Sequence, residues 1–165
     1  MTTKNALDKI DVIEADKEMK DKRKQTTKPA DARAIVELCA AAALDKKALN
    51  LTVLSIGNVT GYADYLMLVS ATSTRQASAI ANNVHGILKK SGVKALSTNG
   101  ISEGQWALLD FGSVIVHVFH QPVREYYDLE SIWTDAPYLE LDPVKLARLI
   151  PEKSTTKNQG YTYES

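Results

Sequence analysis

The run QWALLDFGSVIVHVF, Gln105 to Phe119, constrains the fold more than any other stretch of the chain. Two apolar, partly β-branched segments flank Phe111-Gly112, which is the pattern of a β-hairpin. With Phe111-Gly112 as a two-residue turn, Asp110 pairs with Ser113, Leu109 with Val114, Leu108 with Ile115, Ala107 with Val116, Trp106 with His117 and Gln105 with Val118. Successive side chains on a strand point to opposite faces. Ala107, Leu109, Val114, Val116 and Val118 therefore line a purely apolar face, and Trp106, Leu108, Asp110, Ser113, Ile115, His117 and Phe119 line a mixed one. The first face must meet a core. The second either meets another layer of helices, which makes Trp106 ordinary core, or stays open as a partner surface with Trp106 as its anchor. Alternation alone leaves both arrangements open.

The rest of the chain supplies further strands and the helices to cover them. Pro29 suits a first helical turn, and Ile35, Leu38, Cys39, Ala42 and Ala43 recur on one face of a helix expected over 30–48. LTVLSIG (51–57) and ADYLMLVSA (63–71) read as strands joined by a plain turn at GNVTG. Ser73-Thr74-Arg75-Gln76 has the form of a capping box with glutamine reaching back. The helix it opens carries Ala77, Ile80, Ala81, Val84, Ile87 and Leu88 on one face and ends at Ser91-Gly92. VKALST (93–98) is a short strand before the polar loop NGISEG. Beyond the hairpin, one helix is expected from Pro122 to Trp133, with Tyr126, Leu129 and Trp133 on the sheet and Tyr127 nearer the surface. Asp142-Pro143 opens a short helix to about Ile150, and the tail from Glu152 is polar.

A chain of 165 residues has room for one domain. The expected division is a disordered N-terminal extension over 1–28, a single folded domain over 29–137, and a C-terminal extension over 138–165 with one short helix and a loose tail. No apolar run approaches the roughly 20 residues that cross a bilayer, and the charged N-terminus lacks a secretory signal's apolar segment. A cytoplasmic location is expected. Lysine plus arginine equals aspartate plus glutamate, 20 against 20, so no global field draws the chain to nucleic acid. Only the lysine-rich run from Lys17 to Lys28 offers local RNA contact, and it reads foremost as a solvated arm.

Catalytic patterns fail one by one. His117 and His120 lie three apart on a strand and point to opposite faces, and His85 completes no ligand motif, so no metal site is expected. There is no GxSxG elbow, and Ser113 is explained by the turn. GNVTG lacks the lysine and following helix of a phosphate loop. Two-metal transfer needs acids converging from neighbouring strands, whereas Asp64 and Asp110 each stand alone. Cys39, in LCAAAAL, reads as packing.

The runs ADYLMLVSATSTRQ and WALLDFGSVIVHVFHQPVREYYDLESIW, followed by DAP, closely resemble the Iojap-like ribosomal silencing factors over about Ala34 to Pro137. Asn99 and Ser113 depart from the family pattern, which usually has glutamate before the glycine and aspartate after the turn glycine. The resemblance implies a single α/β domain with a mixed β-sheet of about five strands flanked by helices, nucleotidyltransferase-like in fold. It implies no enzyme activity and no cofactor; a nucleotidyltransferase-like RNA- or nucleotide-handling enzyme is the alternative. It further implies binding to the large ribosomal subunit through the ribosomal protein called L-fourteen, so that the subunits cannot join and translation falls when nutrients are short. By matching motif, Trp106, Leu108 and Asp110 fall at or near the partner surface, and alternation gives Ile115 and His117 the same side.

Overall fold

The computed structural model describes residues 31–150. The expected extension over 1–28, its lysine-rich run and the tail from Glu152 lie outside the described residues. Helix α1, Ala32–Asp45, starts at Asp31, whose carboxylate accepts the Arg33 N–H as an N-terminal cap. Strand β1, Leu49–Ser55, leads to a one-turn helix α2, Gly57–Thr60, where a plain turn was expected; Gly61 closes it in the left-handed region at φ 72°. Strand β2, Tyr65–Ala71, follows, and helix α3, Thr74–Lys90, is capped by Ser73 Oγ accepting the Gln76 N–H. The Gln76 side chain does not complete the box at Ser73. It accepts from the Thr72 N–H and donates to the carbonyls of Lys46 and Lys47, tying α3 to the end of α1.

Strands β3 (Ser97–Asn99), β4 (Trp106–Asp110) and β5 (Val114–His120) complete a five-stranded sheet in the order β1-β2-β5-β4-β3. Only β2 and β5 run parallel; the other neighbours are antiparallel, so the sheet is mixed. On one face, α1 and α3 bury Val53, Met67, Val69, Ala107, Leu109, Val114, Val116 and Val118, including the whole apolar face of the hairpin. The alanine run of α1 lets it lie close to this layer, and Cys39 is fully buried there with its thiol pushed up by burial, as packing requires.

The hairpin differs from expectation in register. Trp106 faces Phe119, Leu108 faces His117 and Asp110 faces Ile115, because the turn is Gly112-Ser113 rather than Phe111-Gly112. Gly112 takes φ 90°, a conformation that favours glycine, while the Phe111 N–H still donates to the Val114 carbonyl. Each partner moves by two residues, and a two-residue shift preserves the faces.

After β5, helix α4 spans only Gln121–Tyr127 and a 3-10 helix spans Leu129–Trp133, with Asp128 left-handed between them at φ 45°. The expected single helix over 122–133 is thus broken. Leu129 and Trp133 are buried as expected, but the break reverses the tyrosines: Tyr126 is 45% exposed and Tyr127 is half-buried. Residues 137–139 hydrogen-bond to β1, and helix α5, Pro143–Ala147, packs on α1 through buried Leu146 and the ion pair of Lys145 with Glu37. The segment expected as an extension from 138 is therefore joined to the domain up to Ile150. No helix among the described residues is long and apolar enough to cross a membrane.

Candidate partner-binding face

The mixed face of the sheet is covered on one side and open on the other. Leu129, Trp133 and Ala136 join Leu54, Ile56, Leu66, Leu68, Ile115 and Phe119 in a second buried cluster. Helix α4 contacts β5 and β2, and the cluster reaches across to Leu54 on β1. The face is not the open strand surface that a partner site over its whole width would need.

The five residues expected to meet a partner are therefore divided. Trp106 and Leu108, on β4, are half-buried and reach the surface at the margin of the cluster. Ile115 is fully buried and His117 is 1% exposed, a correction to their expected surface position, because both sit on β5 beneath the helical cover. Asp110 is likewise buried; its Oδ1 accepts the Gly112 N–H at 2.8 Å, so its carboxylate helps to shape the hairpin turn.

Trp106 is held from several sides. Its ring lies 4.9 Å from Phe119 below and 4.9 Å from Tyr127 on α4. Its indole N–H donates to His117 Nδ1 at 2.9 Å, which leaves the proton of the neutral imidazole on Nε2. Burial pushes the His117 pKa down to about 3, so the ring stays neutral and keeps accepting from Trp106 at neutral pH. Tyr126 packs edge-on against Tyr127 at 4.9 Å and extends the aromatic surface outward. The result is an oriented ledge of Trp106, Leu108, Tyr127 and Tyr126 rather than a cleft.

Sequence reasoning missed Arg124 and Glu130. Arg124 is 6% exposed, donates to the Asn50 carbonyl and Thr52 Oγ1 on β1 and to Ser70 Oγ on β2, and forks onto both carboxylate oxygens of Glu130 at 3.1 and 3.0 Å. Six-residue spacing is not a helical contact, so only the break at Asp128 brings them together. For metal chemistry, His117 is buried in the mixed-face layer, His85 lies on α3 across the sheet, and the described residues contain no group of three or more metal-ligating side chains. Asp64, the other acid considered for two-metal transfer, is exposed.

The family model described as ribosomal silencing factor during starvation matches residues 29–164. The ribosomal silencing factor of Bacillus subtilis is 36% identical over 110 residues, which is 67% of this chain and 93% of that protein. The chloroplastic protein Iojap of Arabidopsis thaliana is 32% identical over 106 residues, 64% of this chain and 44% of its own length. Among solved structures, a Chromobacterium violaceum protein superposes with a TM-score of 0.62 at 34% identity, covering 63% of this chain and 87% of its own. One from Bacillus halodurans gives 0.60 at 31% identity, covering 66% and 99%. A family match over most of the chain, on a fold shared with these structures, places the protein in the Iojap-like family of ribosomal silencing factors.

Proposed function

We propose that this protein represses translation under nutrient limitation by binding the large ribosomal subunit through its protein L-fourteen and sterically blocking the small subunit. It acts by occupying a surface, in the cytoplasm, without cofactor or turnover. The observation that carries this reading is the ledge on β4, where Trp106 and Leu108 are half-exposed beside Tyr127 and exposed Tyr126. Tryptophan and tyrosine are over-represented among residues that dominate interface energy, because a rigid ring buries large area at little entropic cost. Trp106 and Leu108 make the contact, while His117 and Ile115 support them from beneath and Asp110 fixes the adjoining turn. The lysine-rich run over 17–28 adds at most incidental contact with ribosomal RNA.

Sedimentation of the full chain with separated ribosomal subunits tests the proposal. Comigration with the large subunit alone, and fewer joined ribosomes when the small subunit is added, are expected. Comigration with the small subunit, or undiminished joining at saturating protein, would refute it. A melting temperature raised by a nucleoside triphosphate with magnesium would instead favour the nucleotidyltransferase-like alternative, since a ligand that binds only the folded state stabilises it by mass action.

A further inference from the structure

We infer that the Arg124–Glu130 fork is a positioning device: it holds the chain in its kink at Asp128 and thereby presents Tyr127 to Trp106, setting the geometry of the β4 ledge. The part concerning the ledge as a docking surface rests on the function proposed above.

Three observations converge on this assignment. Asp128 has φ 45°, a left-handed conformation uncommon outside glycine, which aspartate tolerates better than most residues and which breaks the helix at that position. The fork spans that residue, joining the last full turn of α4 to the first turn of the 3-10 helix, with Tyr127 and Asp128 enclosed between its ends. In an uninterrupted α-helix, residues six apart lie roughly 120° apart around the axis and could not meet side by side. The bidentate pair can therefore form only with the kink in place. The backbone adds to the closure, since the Asp128 N–H donates to the Arg124 carbonyl at 2.9 Å.

The fork is also fixed in space. The remaining guanidinium hydrogens reach the Asn50 carbonyl at 2.7 Å, Ser70 Oγ at 2.9 Å and Thr52 Oγ1 at 3.1 Å, on β1 and β2. The kink is thus referenced to the sheet, not only to its own helix. Tyr127 is the residue immediately before it, and its ring meets Trp106 at 4.9 Å. Were the segment to continue as one regular helix, the positions after Tyr127 would rotate and the depth of α4 over the sheet would change with them. Arginine suits the role because its planar fork pairs with a carboxylate through two parallel bonds, which lysine cannot reproduce.

The test uses the full chain with Trp133→Phe as the reference, so that Trp106 is the single tryptophan. In Arg124→Lys on that background, the Trp106 emission is expected to shift to the red in the free protein, as Tyr127 moves off the indole. Binding to purified large ribosomal subunits is expected to weaken roughly 10-fold relative to the reference, the order lost when a dominant interface side chain loses its orientation. Glu130→Gln, which keeps the side chain's shape and removes its charge, should change both in the same direction by less, and it serves where Arg124→Lys does not fold. Emission unchanged in a folded variant overturns the positioning role whatever the binding does. A red shift with unweakened binding overturns the claim that the fork serves docking. If the unsubstituted chain itself does not bind large subunits, the docking function proposed above fails, while the emission still decides whether the fork positions Tyr127.

Discussion

Replacing Trp106 with alanine is expected to lower both stability and partner affinity, and the structure sets the two magnitudes separately. Losing the contacts with Phe119 and Tyr127 removes two aromatic pairs at 4.9 Å, each about 0.5–1.5 kcal/mol. Losing the indole N–H leaves buried His117 Nδ1 without its donor, at about 1–3 kcal/mol. The side chain is half-exposed, so water can enter the space it vacates and the cavity contribution stays below that of a fully buried tryptophan. Together these give a loss of about 2–6 kcal/mol in folding, or roughly 8–24 °C in Tm for a domain of this size. Binding to large subunits, measured at a temperature where both proteins are folded, should fall by about 2–4 kcal/mol, about 30- to 1,000-fold. Circular dichroism melts and subunit sedimentation on one preparation supply both numbers. Native affinity in the folded variant would show that β4 is scaffold and not ledge. An unchanged Tm would show that the indole is not held by His117 and its aromatic neighbours.

Three further outcomes follow from the packing. Trp133→Ala, in the buried cluster beneath the 3-10 helix, should cost about 3–5 kcal/mol in urea unfolding, and a normal melt would refute its burial. Gly104→Ala should cost at least about 1–3 kcal/mol, because Gly104 takes φ 72° and an added Cβ would collide with the Thr74 carbonyl oxygen; a variant as stable as the parent would refute that close approach. Burial holds His117 at about 3 when folded, while the unfolded chain's histidine titrates near 6.5. The unfolded state then binds more protons between these values, so stability is full above about pH 6.5 and falls with pH through the window, by at most about 1.4 kcal/mol per pH unit. Urea melts from about pH 7 to about 5.5 should show this slope in the parent and a flatter one in His117→Gln; equal slopes would refute the assignment to His117.

Elements with a strong period were legible in the sequence. The faces of α3 and of the hairpin follow from spacing alone, and the hairpin faces survived even though the turn sits one residue later, since parity and not register assigns a side. Burial of the mixed face was not legible, because alternation tells which residues share a side and not what covers them. The break at Asp128 was hidden for a different reason. REYYDLESIW has helical apolar spacing, and the force that breaks it is a pair six residues apart, together with three acceptors contributed by Asn50, Thr52 and Ser70 more than fifty residues away in sequence. That single missed contact reversed the tyrosines.

Which residues of the mixed face are core, a question the hairpin alone left open, follows from how far its cover reaches across the sheet. Five strands at about 4.8 Å spacing span about 19 Å, whereas a helix with its side chains is about 10–12 Å wide. A single helical layer of seven residues followed by a five-residue 3-10 turn is therefore too narrow to cover all five strands. The covered cluster takes in β2, β5 and Leu54 of β1, which makes Ile115, His117 and Phe119 core, and it leaves β4 at the margin, where Trp106 and Leu108 are half-buried. A side chain in that position has a fixed base and a free edge. His117 and Phe119 hold the indole from below and Tyr127 from the side, so a partner meeting its open edge need not order it first. For the docking proposed above, less conformational entropy would be lost on association than with a fully exposed tryptophan.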